Sequence, residues 1–180
     1  MPAPHAASAA VAVLLAAAVP GAARAADVAP GVGPAESLTA LPDRAALTAR
    51  GSVYVPAYSS VPVDRGQARI NLSVTLSVRN ASAEAPLVIE RIAYRNISGG
   101  LVQDYLSGPV AVRPFGTLEV QVPIRDTRGG TSAAFVVDWA AAGPIAEPVI
   151  ETLNLGAAGT QGYSFVSQGR PIRVPGAASR

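Results

Sequence analysis

The chain has 180 residues, no cysteine and one histidine, and its 14 basic residues leave a formal net charge of only +2. All of these basic residues are arginines spread among acids, so no basic patch that would bind nucleic acid is predicted. The length predicts one domain with an ordinary core, and the 17 glycines and 16 prolines exclude a helical bundle and favour strands and turns.

Residues 1–25 have the pattern of an export signal. An apolar run from Ala6 to Val19 is too short to span a bilayer, and small residues follow at Ala23 and Ala25. We therefore expect cleavage near Ala25, a periplasmic or secreted protein, and no transmembrane span in the mature chain. The alternative is an uncleaved, alanine-rich membrane tether.

Residues 26–50 are rich in alanine, proline and glycine and show no alternation of apolar and polar side chains. This composition predicts a flexible leader between the signal and the folded part. A single domain is accordingly predicted over residues 51–175.

From residue 51 onward the apolar residues recur with the period of a strand. Between Ile70 and Val78 every second residue is a large aliphatic and the others are polar, which predicts a strand with one buried face. Turn signals such as Ser98-Gly99-Gly100 separate the segments, and Pro123 ends one of them. Strands are predicted over residues 53–58, 70–78, 87–95, 101–106, 110–112, 118–122, 133–140, 149–155 and 164–166.

Many short strands and no convincing helix predict an all-β fold, an antiparallel β-sandwich with an immunoglobulin-like arrangement. A closed β-barrel is the alternative, because alternation alone does not separate the two. Trp139, the single tryptophan, lies in a late strand and is predicted to anchor the core between the two sheets.

Four stretches together resemble one bacterial family. They are GSVYVPAYSS from Gly51, INLSVTLSVRN, the IRDTRGG and FVVDW segments, and the closing QGYSFVSQGRPI. They resemble the exported-protein family catalogued as domain of unknown function 3124, over about residues 51–172. The resemblance implies export and a compact β domain, and it implies no activity. Many members look like lipoproteins, which a chain without cysteine cannot be.

Nucleophilic and metal-dependent catalysis lack their usual residues. A serine nucleophile at Ser164 or Ser167 needs a histidine or lysine base, but the only histidine, His5, lies in the predicted signal and lysine is absent. Zinc and copper sites need imidazole or thiolate ligands. We therefore expect no catalytic residue, no metal and no cofactor.

Paired carboxylates are the one catalytic device that the sequence leaves open, since glycoside hydrolysis needs two acids across a cleft. The candidates within predicted strands are Glu90, Glu119, Asp138 and Glu151. We expect these acids to lie on solvated faces opposite arginines. Asp138, beside Trp139, is expected to be partly buried and paired to an arginine.

A ligand-binding surface is predicted where the loop after Pro123 meets the closing segment. Asp126 is expected to cap nearby amides, and the alternative is an anion-accepting concavity built from loop arginines and glycine amides. Arg170 is expected to pair with Asp126 or, alternatively, to present its charge to a ligand. The residues of the predicted surface are Arg125, Asp126, Gly129, Gly130, Ser167 and Arg170.

The sequence therefore predicts a non-enzymatic, exported β-sandwich that serves the bacterial cell envelope as a binding or structural module. Its partner would be an envelope protein or a small ligand. The alternative function is a carboxylate-based hydrolase that acts on envelope glycans through Asp138 or Glu151.

Overall fold

The structure is a computed structural model that describes residues 31–172. This range contains thirteen strands and four short 3-10 helices, joined by loops, and it contains no α-helix. The first strands are β1 (Val32–Gly33), β2 (Leu38–Thr39), β3 (Ala49–Ala57), β4 (Ser60–Val63), β5 (Ala68–Arg79), β6 (Leu87–Arg95) and β7 (Leu101–Asp104). The remaining strands are β8 (Val110–Val112), β9 (Thr117–Val122), β10 (Ala133–Ala141), β11 (Val149–Ala158), β12 (Gln161–Gln168) and β13 (Arg170–Pro171).

The strands form two antiparallel sheets. One has the order β1-β9-β5-β11-β12, with β4 also paired to β5. The other has the order β13-β3-β10-β6-β8-β2, with β7 also paired to β6. The predicted β-sandwich is thus confirmed over the described residues, and two separate sheets replace the alternative of a closed barrel. The immunoglobulin-like arrangement stays a prediction.

The alternation in β5 works as the sequence predicted. Ile70, Leu72, Val74, Leu76 and Val78 are all buried, because successive side chains on a strand point to opposite faces. The same rule holds in β9, where the buried Leu118, Val120 and Val122 alternate with half-buried or exposed residues. Full burial of an aliphatic side chain stabilises a fold by roughly 1.5–3 kcal/mol, so this interior holds the sheets together.

The aromatic centre of the core is not the one that the sequence predicted. Tyr94 and Phe135 are both fully buried, and their ring centroids lie 4.8 Å apart. Tyr105 packs against Phe135 at 6.1 Å. Trp139 is only half-buried and lies against the margin of this core, so its predicted role as the central anchor is wrong.

A β-bulge displaces Trp139 from the regular pattern. The pairing of β10 with β6 shifts register between Asp138 and Trp139, so that Asp138 lies opposite Arg91 while Trp139 lies opposite Ile89. The extra residue on β6 is Glu90, which the shift leaves without a direct partner on β10. The bulge therefore brings a carboxylate and the tryptophan together at one end of the sandwich.

Residues 31–48 belong to the folded domain. The sequence predicted instead that they are part of a flexible leader up to residue 50. β1 pairs with β9 in one sheet, and β2 pairs with β8 in the other. Val32 and Leu38 pack against the core, and this burial fixes the segment even though its sequence does not alternate. The predicted signal, the leader up to residue 30 and the predicted domain end at residues 173–175 lie outside the described residues.

None of the helical segments between residues 31 and 172 is long and apolar enough to cross a membrane.

Candidate functional site

The loop half of the predicted surface is an internally bonded turn. The Asp126 carboxylate accepts from the Arg128 backbone amide at 3.2 Å and from the Arg128 guanidinium at 2.9 and 2.6 Å. These hydrogen bonds hold the pKa of Asp126 below its usual value. The expected capping role of Asp126 is confirmed, with Arg128 as the partner.

The glycines of this loop close over the aromatic core. Gly130 has a φ of +76°, which favours glycine, and its amide donates to the Ser59 hydroxyl at 2.9 Å. Gly129 is buried beside the Tyr94 hydroxyl, which is itself buried. Because the amides of Arg128 and Gly130 are already bonded, the structure gives the alternative, an anion-accepting concavity, no support at these two positions.

The closing half of the predicted surface is held elsewhere. Ser167 lies on β12 opposite Thr152, and Arg170 lies on β13 opposite Tyr54. The expected pairing of Arg170 with Asp126 is wrong, because Arg128 occupies that carboxylate. The tail is tied by backbone hydrogen bonds instead, such as the 2.8 Å bond from the Ile172 amide to the Ser52 carbonyl. Within residues 31–172, Arg125 and Arg170 are exposed and join no ion pair.

The four candidate carboxylates lie on two different sheets. On β11, Glu151 pairs with Arg79 at 2.8 Å, and on β9, Glu119 accepts from the Ser77 hydroxyl at 3.4 Å. On the other sheet Glu90 pairs with Arg50. The expected arginine partner is thus confirmed for Glu90 and Glu151.

Asp138 is half-buried as expected, but it has a different partner. Its carboxylate accepts from the hydroxyl of Ser52, the residue opposite it on β3. Its other neighbour, Arg91, instead binds Asp104 at 2.7 Å, which raises the pKa of the guanidinium. The expectation of an arginine partner for Asp138 is therefore wrong.

A cavity of about 410 Å³ lies where the Arg50–Glu90 pair and the Ser52–Asp138 pair meet Trp139. Its lining residues are Arg50, Gly51, Ser52, Glu90, Asp138, Trp139 and Ile172. The indole of Trp139 lies across Gly51, where an added Cβ would be 2.6 Å from ring atoms. Glycine at this position is therefore what lets the ring reach the wall of the cavity.

Two further cavities adjoin the first through shared residues. One, of about 430 Å³, shares Gly51, Ser52, Trp139 and Ile172 with it and reaches the start of β11. The other, of about 610 Å³, is lined on its far side by Leu41, Pro42, Arg44, Leu47 and Pro109. Arg50 lines all three, so the Arg50–Glu90 pair lies at the junction of one groove at this end of the fold. We call the three together the Trp139 groove.

Sequence reasoning found only part of this groove. The sequence predicts Glu90 and Asp138 only as two of four candidate paired carboxylates, without indicating which of the four lie together. It gives no signal for Arg50 and Ser52, which precede or begin the region expected to fold. The available signal was Gly51, a residue without a side chain next to an alternating strand. The cross-strand partner of Gly51 is Trp139, which lies 88 positions further along the chain and is identified only by strand pairing.

An all-β sandwich with an open groove at one end is the class of protein that this fold and site define. The chain belongs to the family described as "Protein of unknown function (DUF3124)", whose model matches residues 50–172. This match confirms the family resemblance expected from the sequence.

A solved structure with some likeness is "Crystal Structure of Thermotoga maritima 1070". It matches with a TM-score of 0.40 and 13% sequence identity, over 67% of this chain and 92% of that chain. A comparison with curated proteins gives no match.

Proposed function

We propose that this chain is a non-enzymatic binding module, exported to the bacterial cell envelope, that holds a neutral saccharide in the Trp139 groove. Export is supported by the signal-like pattern of residues 1–25. The binding role is supported by the geometry of the groove, which differs from the surface proposed from sequence.

The observation that carries the proposal is one half-buried tryptophan beside two hydrogen-bonded polar pairs. An aromatic face packs against the C–H face of a sugar ring, while fixed polar groups bind its hydroxyls. Arg50 with Glu90 and Ser52 with Asp138 supply such groups, each already oriented by its partner. Oriented partners reduce the entropy cost of binding.

The charge of the groove favours a neutral ligand. The 410 Å³ cavity has one arginine and two carboxylates among its lining residues, so it offers no net positive charge to an anion. Neutral hydroxyl-rich ligands both accept from an arginine and donate to a carboxylate, which is the combination present here.

Because Trp139 is the single tryptophan, fluorescence excited at a wavelength that tyrosine does not absorb reports on this site alone. We expect titration with N-acetylglucosamine oligosaccharides to give a saturable change in emission. Asp138→Asn and Glu90→Gln should each weaken binding at least tenfold, while Glu119→Gln, on the other sheet, should leave it unchanged. No saturable change, or equal weakening by the control, would contradict the proposal.

A hydrolase is the second candidate, because Glu90 and Asp138 line the same cavity. Two carboxyl groups across one cleft are the minimal device of glycoside hydrolysis. Hydrolysis would release reducing ends from a glycan substrate, and either amide substitution would abolish that release. Binding without any release of reducing ends would leave the binding module as the function.

A further inference from the structure

The outer edge of β12 has no strand beside it within residues 31–172. β12 is the last strand of its sheet and pairs with β11 over all eight residues, from Gln161 to Gln168. Its backbone groups on the other side therefore face away from the sheet without a ladder partner in this range. Such an edge is a template for pairing with another strand.

β12 is the longest strand at an end of either sheet. β1, β2 and β13 end their sheets with only two residues each. The short side strands β4 and β7 carry Pro62 and Asp104, respectively, which oppose edge pairing. β12, by contrast, is eight residues long and contains no charged residue and no proline.

Apolar side chains are exposed on both faces of this edge. Tyr163 is 42% exposed, Phe165 37% and Val166 55%. On β11, Leu153 lies opposite Val166, and both Leu153 and Leu155 are exposed. On the other face, Phe165 makes an edge contact with Tyr58, with ring centroids 5.3 Å apart. An exposed apolar cluster along a free strand edge favours association.

We propose that β12 pairs antiparallel with β12 of a second copy of this chain, so that the two sheets continue into each other across a two-fold axis. β12 carries no charge, so a second uncharged strand can pair with it without removing charged side chains from water. A charged partner strand would leave its charges without complements on β12. This inference does not depend on the function of the Trp139 groove.

Symmetry restricts the register of this pairing. A two-fold axis perpendicular to the sheet keeps each face on its own side, so odd-numbered residues must lie opposite odd-numbered ones. A pairing centred on Ser164 places Tyr163 of each copy opposite Phe165 of the other. Cross-strand aromatic pairs are among the more stabilising ones, and this register forms two of them.

Sedimentation equilibrium of the purified protein tests the dimer. An interface of one strand pair is small, so we expect a weak dimer with a dissociation constant in the micromolar range. The measured mass should therefore rise to twice that of the monomer only as the protein concentration passes through this range. Ser164→Lys and Ser164→Glu should each weaken dimerisation at least tenfold by placing like charges together, and their mixture should restore it. Gln121→Lys, which adds the same charge at an exposed position of β9, is the control.

A wild-type protein that stays monomeric at all concentrations would overturn the proposal, and so would a dimer that Ser164→Lys leaves intact. Thiol cross-linking gives a second measurement, because the chain has no cysteine. Equivalent residues at the centre of the pairing lie within about 6 Å, which suits a disulfide. Ser164→Cys should therefore form a linked dimer on mild oxidation, whereas Gln121→Cys should not.

Discussion

Trp139 lies across the backbone of Gly51 on the neighbouring strand, and the indole atoms Cε2 and Nε1 occupy the space that a side chain at residue 51 would need. Gly51→Ala should therefore displace the ring. We expect a loss of about 1–3 kcal/mol in the free energy of unfolding and a shift in tryptophan emission. Urea unfolding followed by fluorescence measures both quantities.

The control for this change is Gly108→Ala, because a Cβ there would meet nothing within 4 Å. It should change neither the free energy of unfolding nor the emission. If Gly51→Ala behaves like this control, the ring is free to move away and does not depend on the glycine.

Gly129→Ala should be more damaging than Gly51→Ala. Its Cβ would overlap the buried Tyr94 hydroxyl and would lie 2.7 Å from the Cβ of Ala133. The Tyr94 ring is fully buried against Phe135, and the Ala133 Cβ is attached directly to the backbone, so neither can move aside and the loop has to move away from the core. We expect at least about 3 kcal/mol of destabilisation, seen as a lower urea midpoint in circular dichroism. A midpoint near that of the wild type would show that the loop does not pack as described.

Asp126→Asn should lower stability at neutral pH and have no effect at acid pH. The pKa of Asp126 is lowered in the folded state, so its contribution is present above the usual value of 3.8 and is lost as the pH falls below it. Arg128 is largely exposed, and solvent screening limits the effect to about 1 kcal/mol. Urea unfolding at neutral pH and at acid pH measures the difference, with Glu84→Gln as an exposed control.

Tyr105 should make the fold sensitive to alkali. Burial raises the pKa of Tyr105 from the usual tyrosine value of 10.0 to about 12 in the folded state, so the unfolded chain loses this proton first as the pH rises through this interval. Stability should therefore fall across this interval. Tyr105→Phe should reduce the slope of the free energy of unfolding against pH over the same interval, while exposed Tyr163→Phe should not.

The strands were predictable because their signal is local. β6 and β8 have the predicted bounds, and β5, β9, β10, β11 and β12 extend theirs by one to three residues at an end, because pairing continues past the alternating core of each strand. β7 ends at Asp104, two residues before its predicted end, and β3 begins four residues earlier than predicted but ends one residue earlier, at Ala57. The role of Trp139 was not predictable, since its position depends on the bulge at Glu90. A bulge depends on how two distant segments pair, so no local sequence pattern indicates it.

The candidate site shows the same limit. The Asp126 turn has a local signature, and it forms as predicted. Its expected partner Arg170 was chosen by charge alone, but Arg128 is only two residues away from Asp126, and so its guanidinium is held close to this carboxylate. Residues 31–48 were misjudged for a related reason. Two-residue strands such as β1 and β2 are too short to show any period.

Asn80 bears on the choice of an expression host. It begins an Asn-X-Ser triplet, yet it is only 2% exposed and its amide nitrogen donates to the carbonyls of Ala85, Val112 and Arg113. A eukaryotic secretory pathway would attach a glycan to this nitrogen before folding and so remove the donors that fix the turn after β5. Protein secreted from yeast should therefore misfold where Asn80 is occupied, whereas protein from a bacterial host should not.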